Sequence, residues 1–168
     1  MENQVENEVV NEKEEETVES IEKIEETAEY IKNSSLAWVV CYEDEKVIDE
    51  ITAIDDEKIF LVAGMNWGYF LDEVIENPVN RKNVAYATHP YPQKEKAPWE
   101  EKWEKSWGHV ADKYPIIATE FGFMGPDDRG AHIPCIADEV YGEVIMNYFE
   151  KKGISYTLWC FDPNWPPT

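Results

Sequence analysis

The sequence predicts an α/β fold built on a parallel sheet. Three observations carry that prediction. Short, almost continuously apolar runs of strand length recur between turn residues, as expected of strands buried on both faces. Helix-period segments separate them, and strand–helix alternation four times over means βα units with right-handed crossovers. The chain has 168 residues, 43% of them apolar, enough for one domain with a substantial core.

Residues 1–16 are acidic and of low complexity, and they are expected to stay disordered because they cannot bury enough apolar surface to offset ordering entropy. From Thr17, Val18, Ile21, Ile24, Ala28 and Ile31 recur at spacings of three and four, which predicts an amphipathic helix with a Glu/Lys outer face. Asn33-Ser34-Ser35 breaks it, so residues 17–36 read as helix and linker. That helix either frays in solvent or covers apolar surface on the domain that follows, residues 37–168. Residues 38–54 read as helix, with Val47, Ile48, Ile51 and Ile54 facing inward, before the turn Asp55-Asp56-Glu57. Residues 59–64 form a strand and 71–75 a short helix. Residues 83–88 are a second strand, ending at His89-Pro90-Tyr91. Pro98 opens a helix at its first turn, where a missing N–H costs nothing, and the helix runs to about Lys113. Residues 115–120 are a third strand, bounded by Pro115 and Gly122. A loop with Gly125-Pro126 and Gly130 leads to a helix over about 134–151, capped by Gly153, and then to a fourth strand over 154–159. The Pro-rich tail after Asp162 cannot continue a sheet. A complete eight-stranded barrel takes about 250 residues, so four units make a partial (β/α) TIM-type barrel.

Charge narrows the function. The net charge is −21, of which −9 lies in residues 1–36, where twelve glutamates face three lysines. Such a chain is poorly suited to nucleic acid, which needs a basic patch, and to anionic membrane surfaces. Neutral ligands such as sugars are compatible with it. Cys41, Cys135 and Cys160 are odd in number and form no Cys-x-x-Cys pair, so they read as free thiols. His132-x-x-Cys135 has a metal-like spacing but no second pair, and neither a metal nor a cofactor is called for. No basic and apolar leader opens the sequence as written, which places it in the cytoplasm as written.

The strand ends carry the chemistry. If the strands are parallel, Asn66-Trp67, His89 with Tyr91, Glu120 and Trp159 share one mouth, where barrel enzymes keep their catalytic groups. A carboxylate beside a phenol and an imidazole, ringed by indoles, is a sugar-handling set. An ionised Glu120 can attack an anomeric carbon, with a hydrogen bond from Tyr91 to orient it. Trp99, Trp103 and Trp107 recur every four residues on one helix and read as core packing against the sheet. Glu100, Glu101 and Glu104 with Lys102 and Lys105 read as a solvated face, and His109 as a helix-end residue without a special role.

The blocks VAYATHPYPQK (84–94), WEEKWEKSWGHVADKYPIIATEFGF (99–123) and YTLWCFDPNW (156–165) resemble the C-terminal half of glycoside hydrolase family 5, the cellulase family. FLVAGMNWGYFLDEV (60–74) resembles the fifth strand of that family's (β/α)8 barrel, so the four units would be strands five to eight. The resemblance implies a retaining β-glycanase acting on a β-glucan or related oligosaccharide. It implies Glu120 as nucleophile, His89 and Tyr91 as its catalytic neighbours, and Trp159 as the substrate-stacking residue. Trp67, Asp162 and Trp165 would lie at the cleft rim. The family is usually secreted. One departure matters: the family's Asn-Glu-Pro, whose Glu is the general acid/base, is absent, and Glu76-Asn77-Pro78 has those residues in another order and place. A retaining glycosidase needs two carboxyl groups about 5–5.5 Å apart, so turnover by this chain alone is not expected. The other readings are a carbohydrate binder without catalysis and a half-barrel that works by assembly, as a homodimer or with a complementing N-terminal half.

Overall fold

The computed structural model describes residues 45–160, the backbone of 38–41, and Glu25, Ala28, Glu29, Lys32 and Asn33, which have helical backbone. The disorder expected for residues 1–16, and most of the helix expected from Thr17, lie outside the described residues.

Five parallel strands form one sheet in chain order: β1 (Trp38–Cys41), β2 (Phe60–Ala63), β3 (Val84–Thr88), β4 (Ile116–Phe121) and β5 (Ser155–Leu158). Three α-helices join them: α1 (Glu45–Ile54), α2 (Glu100–Ser106) and α3 (Glu139–Lys152). The α/β class and the parallel sheet are as the sequence predicts. The strand count differs by one. Trp38-Val39-Val40-Cys41, expected in a helix, pairs in register with β2, Trp38 against Phe60 and Cys41 against Ala63. Two adjacent valines in a four-residue apolar run favour the extended backbone, where branching at Cβ costs nothing. The helical pattern belongs only to α1, which buries Ile48 and Ile51 and half-buries Ile54, while Val47 is exposed.

Smaller differences share one cause, local capping and turn chemistry. Asp72–Ile75 is a 3-10 turn, not an α-helix. Pro98 precedes the helix instead of opening it, and α2 ends at Ser106 before a separate 3-10 turn, Gly108–Asp112. The last helix starts at Glu139 and not at 134, because the Asp138 carboxylate accepts from the Val140 N–H at 3.2 Å and caps it. Gly153 ends it with φ 65°, the left-handed conformation that suits glycine.

The tryptophan stripe is core, in one cluster with strand residues such as Val62 and Ala118, and aromatic rings of α3 pack on it as well. Trp103 and Trp107 are 1% and 0% exposed. Trp103 lies between Trp99 and Trp107, its ring centroid 6.0 Å from each. Tyr141, Tyr148 and Phe149 of α3 close on the stripe edge-on or tilted. Gly108 permits this approach, since a Cβ there would stand 1.9 Å from the Tyr148 hydroxyl.

Glu104 does not belong to a purely solvated face. It accepts from the Tyr148 hydroxyl and, at 3.0 Å, from Lys152, which also bonds Asp112 at 2.7 Å. Burial works against the Glu104 charge, yet Tyr148 and Lys152 outweigh it and hold the carboxyl below its usual pKa. Burial likewise opposes the Lys152 charge, and Asp112 and Glu104 outweigh it and raise the pKa. A depressed carboxylate stabilises the fold above the unfolded glutamate value, about 4.3, and loses that as pH falls through the folded value. A raised ammonium stabilises below about pH 10.4 and loses that as pH rises through the folded value. Glu104→Gln should therefore cost about 0.5–1 kcal/mol near neutral pH, discounted for its exposure. The difference from wild type should shrink below about pH 4 in urea unfolding measured across pH.

Candidate active site

The ends of β2, β3 and β4 each contribute one part of the site. After β2 and Gly64, the turn Met65–Gly68 holds three successive residues in the left-handed region: Asn66 (φ 54°), Trp67 (φ 55°) and Gly68 (φ 75°). Left-handed backbone costs a non-glycine residue about 1–2 kcal/mol, so the surroundings must enforce it. They do so through Gly68, whose carbonyl accepts from the His89 N–H at 3.0 Å, and where a Cβ would press on the His89 ring at 3.1 Å. The turn thrusts Trp67 outward, 84% exposed.

After β3, His89-Pro90-Tyr91 runs into a 3-10 turn, Pro92–Lys94. From below, Tyr141 at the start of α3 donates its hydroxyl to the Pro90 carbonyl. Burial, with Tyr69, Cys135 and Tyr91 nearby, pushes the Tyr141 phenol well above its usual pKa, so it remains a donor. Tyr141→Phe strands that carbonyl and should cost about 1–3 kcal/mol in denaturant unfolding. Tyr141→Leu, which also removes a ring packed on Trp99, Trp103 and Phe123, should cost more.

Glu120 comes from β4. Consecutive strand residues point to opposite faces, yet Thr119 and Glu120 both meet His89. The sheet register shifts between Ala118 and Phe121, a bulge that re-aims side chains where barrels place their sites. The Thr157 hydroxyl donates to the Thr119 carbonyl at 2.7 Å and secures it. The result is a compact cluster. The Tyr91 hydroxyl donates to Glu120 Oε2 at 3.1 Å. His89 Nδ1 is 3.9 Å from the same oxygen, and His89 Nε2 lies 2.9 Å from Thr119 Oγ1. His89, Tyr91, Glu120 and Trp67 line one cleft of about 920 Å³, with Lys94 and Pro134 on its wall.

Trp159 is placed otherwise. It follows β5, is 43% exposed, donates its main-chain N–H to the Phe121 carbonyl at 3.0 Å, and is not among the residues lining that cleft. Asp162 and Trp165 lie outside the described residues. Three residues near the cluster had no role in the sequence reading: Thr119, Tyr141 and Lys94. Only Lys94 left a signal, three positions after Tyr91 in a loop. His132 Nε2 and Cys135 Sγ come within 3.6 Å, but no group of three metal-ligating side chains occurs among the described residues. Cys135 is buried and Cys160 half-buried, and neither is in a disulfide among the described residues. No described helix is long and apolar enough to cross a membrane.

Comparison with known proteins agrees with this arrangement. The family model for cellulase, glycosyl hydrolase family 5, matches residues 3–165. Endoglucanase Z of Dickeya dadantii (strain 3937) is 29% identical over 118 residues, which is 70% of this chain and 26% of that protein. Endoglucanase CelA of Streptomyces lividans is 25% identical over 128 residues, 70% of this chain and 25% of that protein. Among solved structures, the beta-glucanase SdGluc5_26A from Saccharophagus degradans, in complex with cellotetraose, superposes with a TM-score of 0.71 at 48% identity, covering 74% of this chain and 39% of that one. The chain thus spans about a quarter of the curated relatives and well under half of the solved one. A parallel sheet with its carboxylate, phenol and imidazole at the strand ends, and a family match over nearly the whole sequence, place this chain in glycosyl hydrolase family 5, the cellulase family.

Proposed function

We propose that the cleft binds a β-linked glucan and that Glu120 is its nucleophile in a retaining mechanism. The carrying observation is the Tyr91–Glu120 hydrogen bond of 3.1 Å inside a cleft bounded by Trp67. Tyr91 holds Oε2, which leaves Oε1 of the carboxylate to attack the anomeric carbon. The C1–O bond to the leaving sugar breaks as the C1–Oε1 bond forms, and a glycosyl ester on Glu120 results. The departing oxygen needs a proton, and the ester needs a base to activate water. The absence of Asn-Glu-Pro supports a chain that binds the glucan and is deficient in these proton transfers, each typically worth 10²–10⁴-fold. The cellotetraose-bound relative supports an oligoglucoside as the ligand class.

Titration calorimetry with cellotetraose and, as control, the α-linked maltotetraose tests the reading. Heat from the β-linked sugar alone is expected, and its absence at millimolar sugar sinks the proposal. A second reading draws on the sheet edges. Among the described residues β1 and β5 each pair with one neighbour only, and open parallel edges favour association. Assembly with a second copy or a complementing half-barrel would then complete the cleft, and a monomer by light scattering would exclude the homodimer.

A further inference from the structure

The turn that presents Trp67 is the least relaxed backbone around the cleft, and one side chain reaches across to hold it. Lys94 extends from the loop after β3 toward the loop after β2. Its ammonium donates to the Asn66 carbonyl at 3.1 Å, stands 5.0 Å from the Trp67 ring centroid and 6.0 Å from that of Tyr69. This contact spans two separate loops and touches the first strained residue of the turn through its backbone and the second through its ring. Among the described residues the turn's other hydrogen bonds are main-chain: Met65 N–H to Phe70, Gly68 N–H to Gly64, Tyr69 N–H to Met65 and Asn66, Phe70 N–H to Met65, and His89 N–H to Gly68. Lys94 forms no ion pair among the described residues, since the neighbouring Glu95 faces Lys102 at 3.9 Å. An ammonium near an indole face gains cation–π attraction, more so when partly desolvated. Burial does lower the Lys94 pKa.

We propose that Lys94 is a positioning residue that fixes the Trp67 indole as a platform for one neutral glucosyl unit of the bound β-glucan, in the cleft that Tyr91 and Glu120 also line. The inference rests on the glucan-binding reading of the cleft. An exposed indole on a three-residue left-handed turn has little else to fix its orientation, and a platform must be pre-oriented to contribute affinity. The ligand at this subsite is a neutral sugar and not an anion, because a chain of net charge −21 with Glu120 in the same cleft repels anions.

The test combines a ligand-free signal with a double-mutant cycle. With 5-fluorotryptophan incorporated, the ¹⁹F resonance missing in Trp67→Phe is that of Trp67. In Lys94→Met, which keeps an unbranched apolar stem and loses the ammonium, that resonance should shift while those of the other tryptophans stay. Lys94→Arg should restore it in part. Cellotetraose affinity should fall about tenfold in Lys94→Met and about tenfold in Trp67→Ala, and the double variant should bind no more weakly than the worse single. An unmoved Trp67 resonance, unchanged affinity in Lys94→Met, or additive losses would each overturn the proposal. A resonance that shifts in Lys94→Met while the wild-type protein binds no cellotetraose would remove the glucan reading and the subsite with it, leaving the Lys94 contact structural only. Urea unfolding of each variant confirms that affinities are compared between folded proteins.

Discussion

Incubated with 2,4-dinitrophenyl β-cellobioside, the chain should release about one equivalent of dinitrophenolate and then stall. Dinitrophenolate is stable enough as an anion to leave without a proton, so the first step asks only for a nucleophile. Tyr91 supplies a hydrogen bond to Oε2 of Glu120 at 3.1 Å, and His89 lies 3.9 Å from the same atom. The second step asks for a base near the ester, and the sequence holds no Asn-Glu-Pro to supply it. The cellobiosyl ester should therefore accumulate on Glu120, where peptide mapping by mass spectrometry will find it. Glu120→Gln should abolish the burst. Tyr91→Phe should slow it about tenfold or more, because Oε2 loses its donor and the carboxylate its fixed orientation. With cellotetraose, whose leaving group must be protonated, release should be slower by roughly 10²–10⁴-fold or immeasurable. Sustained turnover of cellotetraose that disappears in Glu120→Gln would show that another group in this chain acts as acid/base. A burst that persists in Glu120→Gln would remove Glu120 from the nucleophile's role.

The largest effect on stability should come from Trp107→Ala. Trp107 is 0% exposed and touches Trp103, Tyr148 and Phe149, so truncation removes a bicyclic ring from the contact between α2 and α3. Replacing a buried Trp or Phe by Ala costs about 3–5 kcal/mol in transfer free energy and cavity formation. Native domains hold only about 5–15 kcal/mol in total. Urea midpoints should fall accordingly, and the variant should be partly unfolded at 37 °C. Trp99→Phe offers the contrast. Trp99 is half-buried at the rim of the same stripe and a ring remains after substitution, so about 1 kcal/mol or less is expected. Equal losses at the two positions would mean that the stripe is not graded from core to rim as its exposure indicates.

The sequence and the structure divide the molecule between them along physical lines. Apolar runs such as 116–121 and 84–88 were legible as buried strands because burial on both faces leaves a continuous hydrophobic signature. The tryptophan period of four was legible as core for the same reason, although its partner helix was not. Residues 38–41 were misread because four residues are too few to set a period, and the helical pattern of α1 follows at once. At the site, the residue types Glu120, Tyr91 and His89 stood at strand ends in the text of the sequence, and their shared mouth followed from parallel strands. The sequence by itself thus determined the fold class and the family, and it put Glu120 at a strand end where the proposed chemistry needs a carboxylate. Tertiary structure alone decided the bulge that turns Thr119 and Glu120 toward one imidazole, the Tyr141 support under Pro90, the left-handed turn of Trp67, and the reach of Lys94 across the cleft. Periodicity and composition record how often a residue is buried, which is a local property. These four features depend on register and on contacts between segments tens of residues apart, which become fixed only when the strands pair and the loops close over their ends.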